Sequence, residues 1–278
     1  MYQILCNIKS SIRYFLSVKN ILLLALVVVF SAYISYSRLQ NYIRLNFTVS
    51  ASDMLSSIYG IFSAEEKAGI NVNLLGRFLI MTLPFTIAIY IVSSYINTYV
   101  LQHCYFSTIR FKSLLKWFFR HFTVLSVSTI LYFFIFNFSL YFISGLITTF
   151  ESNSMYASSI LGLTRQSGDM PRLLALFCVL QCSCIIVVVS VQYVLSFLKG
   201  SFAGFSTGIL LIVISILFSL FTSNNLYFKN IVLQKSILSN SMDISTFIFT
   251  LFINIISVVL VLFIGYKLLS KMDLSIKK

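Results

Sequence analysis

Groups able to do chemistry are scarce in this chain: two histidines, five cysteines and seven carboxylates among 278 residues. A catalytic site needs such groups gathered in one place. His103 and His121 lie far apart, and neither has an Asp or Glu beside it. A zinc site draws His, Cys and carboxylates at short spacing, so no metal centre is expected. Glu65-Glu66 resembles the start of a metalloprotease motif but has no Arg three residues further on. Ser144-Gly145 lacks the glycine two positions earlier that a nucleophilic serine of the rhomboid kind would have. Cys178 and Cys182 share a helix face while Cys184 is rotated away, a pattern read as packing. No phosphate-binding loop G-x-x-x-x-G-K-[ST] occurs. We therefore expect no catalytic residue, no cofactor and no metal, and any ATP site has to be supplied by another chain.

The elements carrying these groups explain the poverty. Hydrophobic residues make up 59% of the chain and charged residues 10%, whereas an ordinary soluble domain has about 25% charged residues. Six charge-free runs reach 18 residues or more: Asn20–Ser37, Phe78–Ile109, His121–Phe150, Leu173–Leu198, Gly200–Phe228 and Ile244–Tyr266. A hydrocarbon core ~30 Å thick takes ~20 apolar residues as a helix, and a charge at its centre costs ~2.5–3.5 kcal/mol. Strands of a membrane barrel would alternate in polarity, and these runs do not. The expectation is an all-α polytopic membrane protein, a single transmembrane domain over 1–278, with spans about 20–36, 78–100, 122–149, 173–197, 202–222 and 244–266. Pro84 falls within the second span, where a kink is expected, and Pro171 stands at a good helix start. Lys199 and Gly200 leave almost no loop between the fourth and fifth spans, which predicts antiparallel neighbours. The first run has no clean cleavage site and reads as a retained span.

With six spans both chain ends share one side. That side carries 12 basic residues and one acid, Asp273; the other carries 8 basic residues and six acids. The positive-inside rule puts the basic side in the cytoplasm, giving a multi-pass protein of the cell membrane. The net charge of +13 then belongs to lipid headgroups and topology, and nucleic acid is not an expected partner. Cys6 and Cys104 would be cytoplasmic and reduced, so no disulfide framework is implied.

Between the spans, three segments stand out. In residues 1–19 the apolar Ile4, Leu5, Ile8, Ile12, Phe15 and Leu16 share one helical sector opposite Arg13 and Ser17. This predicts an N-terminal interfacial amphipathic helix, with Lys9, Arg13 and Lys19 toward headgroups, serving as an anchor or as an elbow into the first span. In the outside loop 37–77, Ser52-Asp53 offers a cap for a short helix over Met54–Phe62, and Asn46-Phe47-Thr48 matches a glycosylation triplet. The segment Leu101–His121 mixes Arg110, Lys112, Lys116 and Arg120 with Phe111, Leu114, Leu115, Trp117, Phe118 and Phe119, and has no acid. It reads as an interfacial helix with snorkelling bases or as a docking helix for a cytoplasmic partner. Within the spans, Ser93, Ser94, Asn97, Gln181, Gln192 and Asn254 are neutral polar groups suited to interhelical hydrogen bonds. Gly200, Gly204 and Gly208 repeat every fourth residue and predict a close helix approach, within the chain or to a second subunit.

This layout resembles the permease subunits of ABC-2-type transporters, over nearly the whole chain. The resemblance rests on the amphipathic Met1–Val18, the six spans, the coupling segment Leu101–His121 with its Arg110-Phe111-Lys112-Ser113-Leu114-Leu115, and the longer outside segment Ser223–Asp243. Tyr105-Phe106-Ser107-Thr108 stands where the family frequently has an acid and a Gly-Thr pair. A weaker likeness is to small permeases of peptide or bacteriocin export and immunity. The resemblance implies a second permease copy or paralogue and a separate ABC ATPase subunit docking at Arg110, Lys112, Lys116, Trp117 and Arg120. ATPase closure would then drive translocation of a peptide, lipid or other amphipathic substrate. Two alternatives stay open: a stand-alone membrane immunity or binding protein without ATPase, and an ion-coupled carrier or intramembrane enzyme. The spans lack Asp, Glu, Lys and Arg, which weighs against ion coupling.

Overall fold

The computed structural model describes residues 13–44, 49–59, 72–101, 114–148, 170–221 and 244–271. They are almost entirely helical: α1 (Val18–Arg44), α2 (Ala51–Tyr59), α3 (Val72–Tyr95) continued by a π-helical turn (Ile96–Leu101), α4 (Leu114–Ile147), α5 (Met170–Lys199), α6 (Ser201–Phe221) and α7 (Ile244–Lys271). Five of these helices are long and apolar enough to cross a membrane; α6 contributes a shorter apolar stretch, Ser201–Leu217.

Helix limits follow the apolar runs but overshoot them. Charged residues end an apolar run without ending the backbone hydrogen-bond ladder, so α1 carries Lys19 in its first turn and Arg44 in its last. The largest overshoot is in α4, which starts at Leu114 rather than near residue 122. Its 34 residues extend about 51 Å at 1.5 Å each, some 20 Å more than a bilayer core. Lys116 and Arg120 thus belong to the spanning helix itself, on the part that overhangs.

At the centre of the bundle stands α5, packed against α2, α3, α4, α6 and α7. Half of its apolar span is buried, against 17% for α7, so α5 is the inner helix and α7 an outer one. Gln181, Ile185, Val189, Gln192, Tyr193 and Ser196 of α5 are fully buried. Burial in hydrocarbon favours the pairing of polar groups, and three side-chain amides pair between helices. Asn137 Nδ2 donates to Gln181 Oε1 at 2.9 Å. Gln192 Nε2 donates to the Ile89 carbonyl at 3.1 Å, and Asn254 Nδ2 to Ser183 Oγ at 2.8 Å. Asn137, absent from the polar set picked out in the sequence, completes the central pair.

The glycine row divides into two roles. A Cβ on Gly204 would collide with Ser196 Oγ and sit 2.6 Å from the Gln192 carbonyl oxygen; one on Gly208 would lie 3.1 Å from Ile89. These two glycines let α6 lie directly on α5 and α3 of the same chain. Gly200 does not line that groove. Nothing lies within 4 Å of its missing Cβ, and its φ of 95° makes the tight link between the antiparallel α5 and α6. On the other side of α5, a Cβ on Gly265 would collide with Val194, so α7 also depends on a close approach.

The short helix α2 starts earlier than the expected Met54, and residues 60–62 lie outside the described residues. It runs from Ala51 to Tyr59, and its cap is Ser50, not Ser52-Asp53. The Ser50 backbone N–H donates to Asp53 Oδ2 at 2.9 Å while the Asp53 N–H donates to Ser50 Oγ at 3.3 Å, a reciprocal capping box. Ala51, Asp53, Met54, Leu55, Ser57 and Ile58 are all buried. The helix is wedged among α1, α3, α4 and α5, with Met54 and Val49 packed on Leu39 toward the end of α1.

Candidate functional site

At the opposite end of the bundle an aromatic cluster gathers the termini of all six long helices described. It begins where the chain turns into α1. Residues 13–15 are helical, Leu16 and Ser17 form a turn, and α1 follows. The Ser17 N–H donates to the Tyr14 carbonyl at 3.0 Å, and Asn20 Nδ2 donates to the same carbonyl at 3.1 Å. This is an elbow built from local hydrogen bonds. The part of the amphipathic helix before residue 13, Lys9 included, lies outside the described residues; Arg13 is exposed at the start of the elbow.

The elbow is fastened to α3. Tyr14 Oη donates to Ser94 Oγ at 2.8 Å, and the Tyr14 ring meets Tyr95 and Tyr99 edge-on at 5.4 and 5.1 Å. Burial pushes the Tyr14 hydroxyl above the ordinary tyrosine value, against the lowering effect of its Ser94 bond, so it remains a donor. Tyr95 and Tyr99 stack at 5.3 Å across the π-helical turn. One extra residue in that turn shifts the register so that Asn97, Thr98 and Tyr99 face outward while Ile96 and Val100 stay buried. No signal in the sequence pointed to the π turn, because its composition matches the apolar run around it.

From α3 the cluster passes to α4 and α5. Tyr95 Oη and His121 Nδ1 share a hydrogen bond of 3.1 Å. The Trp117 ring meets His121 at 5.3 Å and Phe197 at 5.4 Å. Tyr193 Oη donates to the Phe118 carbonyl at 2.9 Å, and Phe118 contacts Tyr266 of α7 at 6.4 Å. Ser201 Oγ, opening α6, donates to Asn97 Oδ1 at 3.4 Å. Long helices that are consecutive in the chain therefore run in alternating directions, and residues 13 and 271 lie at the same end.

The structure corrects one expected role here. Trp117 is fully buried against α5, so it is a core residue and not an exposed anchor for a partner. Around it, Lys116 is exposed and Arg120 half-buried, while Leu115 and Phe119 are over a third exposed. Arg110 and Lys112 lie outside the described residues, as do Ser223–Asp243 and the Asn46 triplet. His121, set aside in the sequence for lack of a carboxylate neighbour, is instead partnered by a tyrosine from another helix. The arrangement holds hydrogen bonds and aromatic contacts but no gathered nucleophile and base. No group of His, Cys, Asp and Glu that could hold a metal occurs among the described residues. Next to the elbow, Tyr14, Phe15, Tyr95, Thr129 and Tyr132 line a cavity of about 10 Å³, room for no more than a water. Compared with known proteins, the chain matches no family model, no curated protein and no solved structure.

Proposed function

We propose that this chain is the membrane-spanning permease subunit of an ABC-2-type exporter in the cell membrane, working with a second permease copy or paralogue and a separate ATPase subunit. In this reading the chain crosses the bilayer six times with both ends in the cytoplasm. The sixth crossing is α6, whose 21 residues extend about 31 Å, enough for the hydrocarbon core.

The observation that carries the reading is the unbroken contact path Tyr14–Tyr95–His121–Trp117. It joins the N-terminal elbow, the end of α3 and the start of α4. The resemblance assigns the ATPase-coupling role to Leu101–His121, the segment that ends in the start of α4. A push on the segment ending at His121 acts first on Trp117 and His121. It then reaches α3 through Tyr95, and α5 through Phe197 and Tyr193. Close-packed aromatic groups transmit such a displacement because they cannot absorb it by compression. Arg110, Lys112, Lys116 and Arg120 supply the charge that meets the ATPase. Trp117 converts that contact into movement of the bundle from inside. The cargo is a peptide, lipid or other amphipathic molecule.

The test is co-purification of the chain with an ATPase subunit lacking membrane spans, and its repetition with Arg110, Lys112 and Lys116 all changed to Ala. Loss of ATPase association and of transport with normal membrane insertion supports the proposal. Unchanged association and transport remove it, and protection against a toxic peptide by this chain alone favours a stand-alone immunity protein.

A further inference from the structure

The start of α1 combines a lipid-facing surface with a cation held in place. Val18, Ile21 and Leu22 are 74%, 46% and 63% exposed, an apolar face suited to acyl chains. Within it Lys19 Nζ donates to Tyr90 Oη at 2.9 Å and lies 5.2 Å over the same ring. Tyr90 and Ser94 lie one turn apart on α3. Ser94 is taken by Tyr14, whereas Tyr90, Asn97 and Tyr99 are exposed.

Asp53 is the one carboxylate among the described residues, and it is buried in α2 near the other end of the bundle. The ammonium has three donors and Tyr90 takes one. A lysine in an apolar, lipid-facing surface, with donors left over beyond its bond to Tyr90, calls for an anion at the membrane interface.

We infer that Lys19 and Tyr90 form a binding site for the phosphate headgroup of an anionic phospholipid, whose acyl chains run along Val18, Leu22 and Leu26. The inference goes beyond the transport reading and needs only that the chain sits in a bilayer. Charge selects the occupant: a second copy of this chain would bring a basic end to a basic end, whereas an anionic lipid brings the missing charge. Aromatic hydroxyls beside a cation at the interface suit a phosphodiester surrounded by hydrocarbon.

The experiment is native mass spectrometry of the full-length protein titrated separately with phosphatidylglycerol and phosphatidylcholine. The first phosphatidylglycerol is expected to bind more tightly than phosphatidylcholine. Lys19→Gln is expected to weaken it about fivefold, the share of one basic residue at an anionic surface. Tyr90→Phe, which keeps the ring and loses the hydroxyl, should weaken it by less. Lys267 also lies over an aromatic ring, 4.8 Å from the Phe263 centroid, but its ring has no hydroxyl. Lys267→Gln is the control and should weaken binding less than Lys19→Gln does. Unshifted emission from Trp117, the sole tryptophan, shows that each variant is folded. Equal binding of the two lipids, equal losses for Lys19→Gln and Lys267→Gln, or a dimer in which cysteines placed at position 19 cross-link would each overturn the site.

Discussion

The hydroxyl of Tyr193 donates to the carbonyl oxygen of Phe118 at 2.9 Å, tying the end of α5 to the start of α4. The accepting carbonyl is early in a helix, where it already serves its own ladder, so the tyrosine adds a second bond to it. Both side chains are fully buried and their rings lie 5.0 Å apart. Tyr193→Phe keeps the ring contact and removes only the bond, and should lower stability by about 0.5–1.5 kcal/mol. Tyr193→Ala also empties the ring's volume and should cost about 3–5 kcal/mol. Denaturation of the detergent-solubilised protein, followed by Trp117 emission, separates the two.

Trp117 itself reports on the same region. Its ring is fully buried, so the native protein should emit at short wavelength and resist quenching by iodide. Unfolding should shift the emission to the red. Trp117→Ala should destabilise by about 3–5 kcal/mol, as large core truncations do. Lys116→Ala, at an exposed position of the same helix, should stay within about 0.5 kcal/mol. Equal losses for the two variants would show that Trp117 is not in the core.

The glycines separate two physical costs. Gly204→Ala places a methyl group against Ser196 Oγ and 2.6 Å from the Gln192 carbonyl oxygen. Overpacking of that kind costs about 1–3 kcal/mol. Ser196→Ala in the same chain should relieve part of it, because the nearest clashing atom is removed while the carbonyl remains. Gly200→Ala meets no atom within 4 Å but must hold a φ of 95°, at about 1–2 kcal/mol, and Ser196→Ala should not relieve it. Thermal melts of the single and double variants are the measurement.

The elbow carries a pH dependence with a definite sign. The Tyr14 hydroxyl is raised above its ordinary value by burial. Its stabilising effect is therefore complete below the unfolded tyrosine value of about 10 and is lost as pH rises through the higher folded value. Stability of the wild type should fall more steeply above pH ~10 than that of Tyr14→Phe, which has no proton to lose at this position. Melting temperatures of the two proteins across roughly pH 8 to 11 should therefore draw together toward the alkaline end.

Removing one partner of the Asn137–Gln181 pair tests how far α4 depends on α5 at mid-bundle. The two amides bond at 2.9 Å and both are buried. A double-mutant cycle with Asn137→Leu and Gln181→Leu should return a coupling of about 0.6 kcal/mol, the usual size for such bonds between membrane helices. A coupling indistinguishable from zero would mean that the pair does not join the two helices.

What the sequence by itself determined is the set of long helices. Runs such as Ala175–Lys199 and Phe247–Lys271 are readable because hydrocarbon excludes charge over the whole thickness of a membrane, an energy that depends on composition alone. Of the six neutral polar residues picked out in the spans, five, Ser94, Asn97, Gln181, Gln192 and Asn254, bond to another helical segment. The tertiary structure decided what depends on which face meets which neighbour. Trp117 stands among basic residues in the chain, yet the register of α4 against Phe197 turns it inward. Gly200 belongs to the same four-residue repeat as Gly204, yet only Gly204 faces Ser196. The segment Ala51–Tyr59 carries Ser52, Asp53, Ser56 and Ser57, and the capping box together with the neighbouring α1, α3, α4 and α5 allows it to be buried. A linear pattern gives each residue's cost of burial in isolation, whereas a partner that offsets the cost is supplied only by helices distant in sequence.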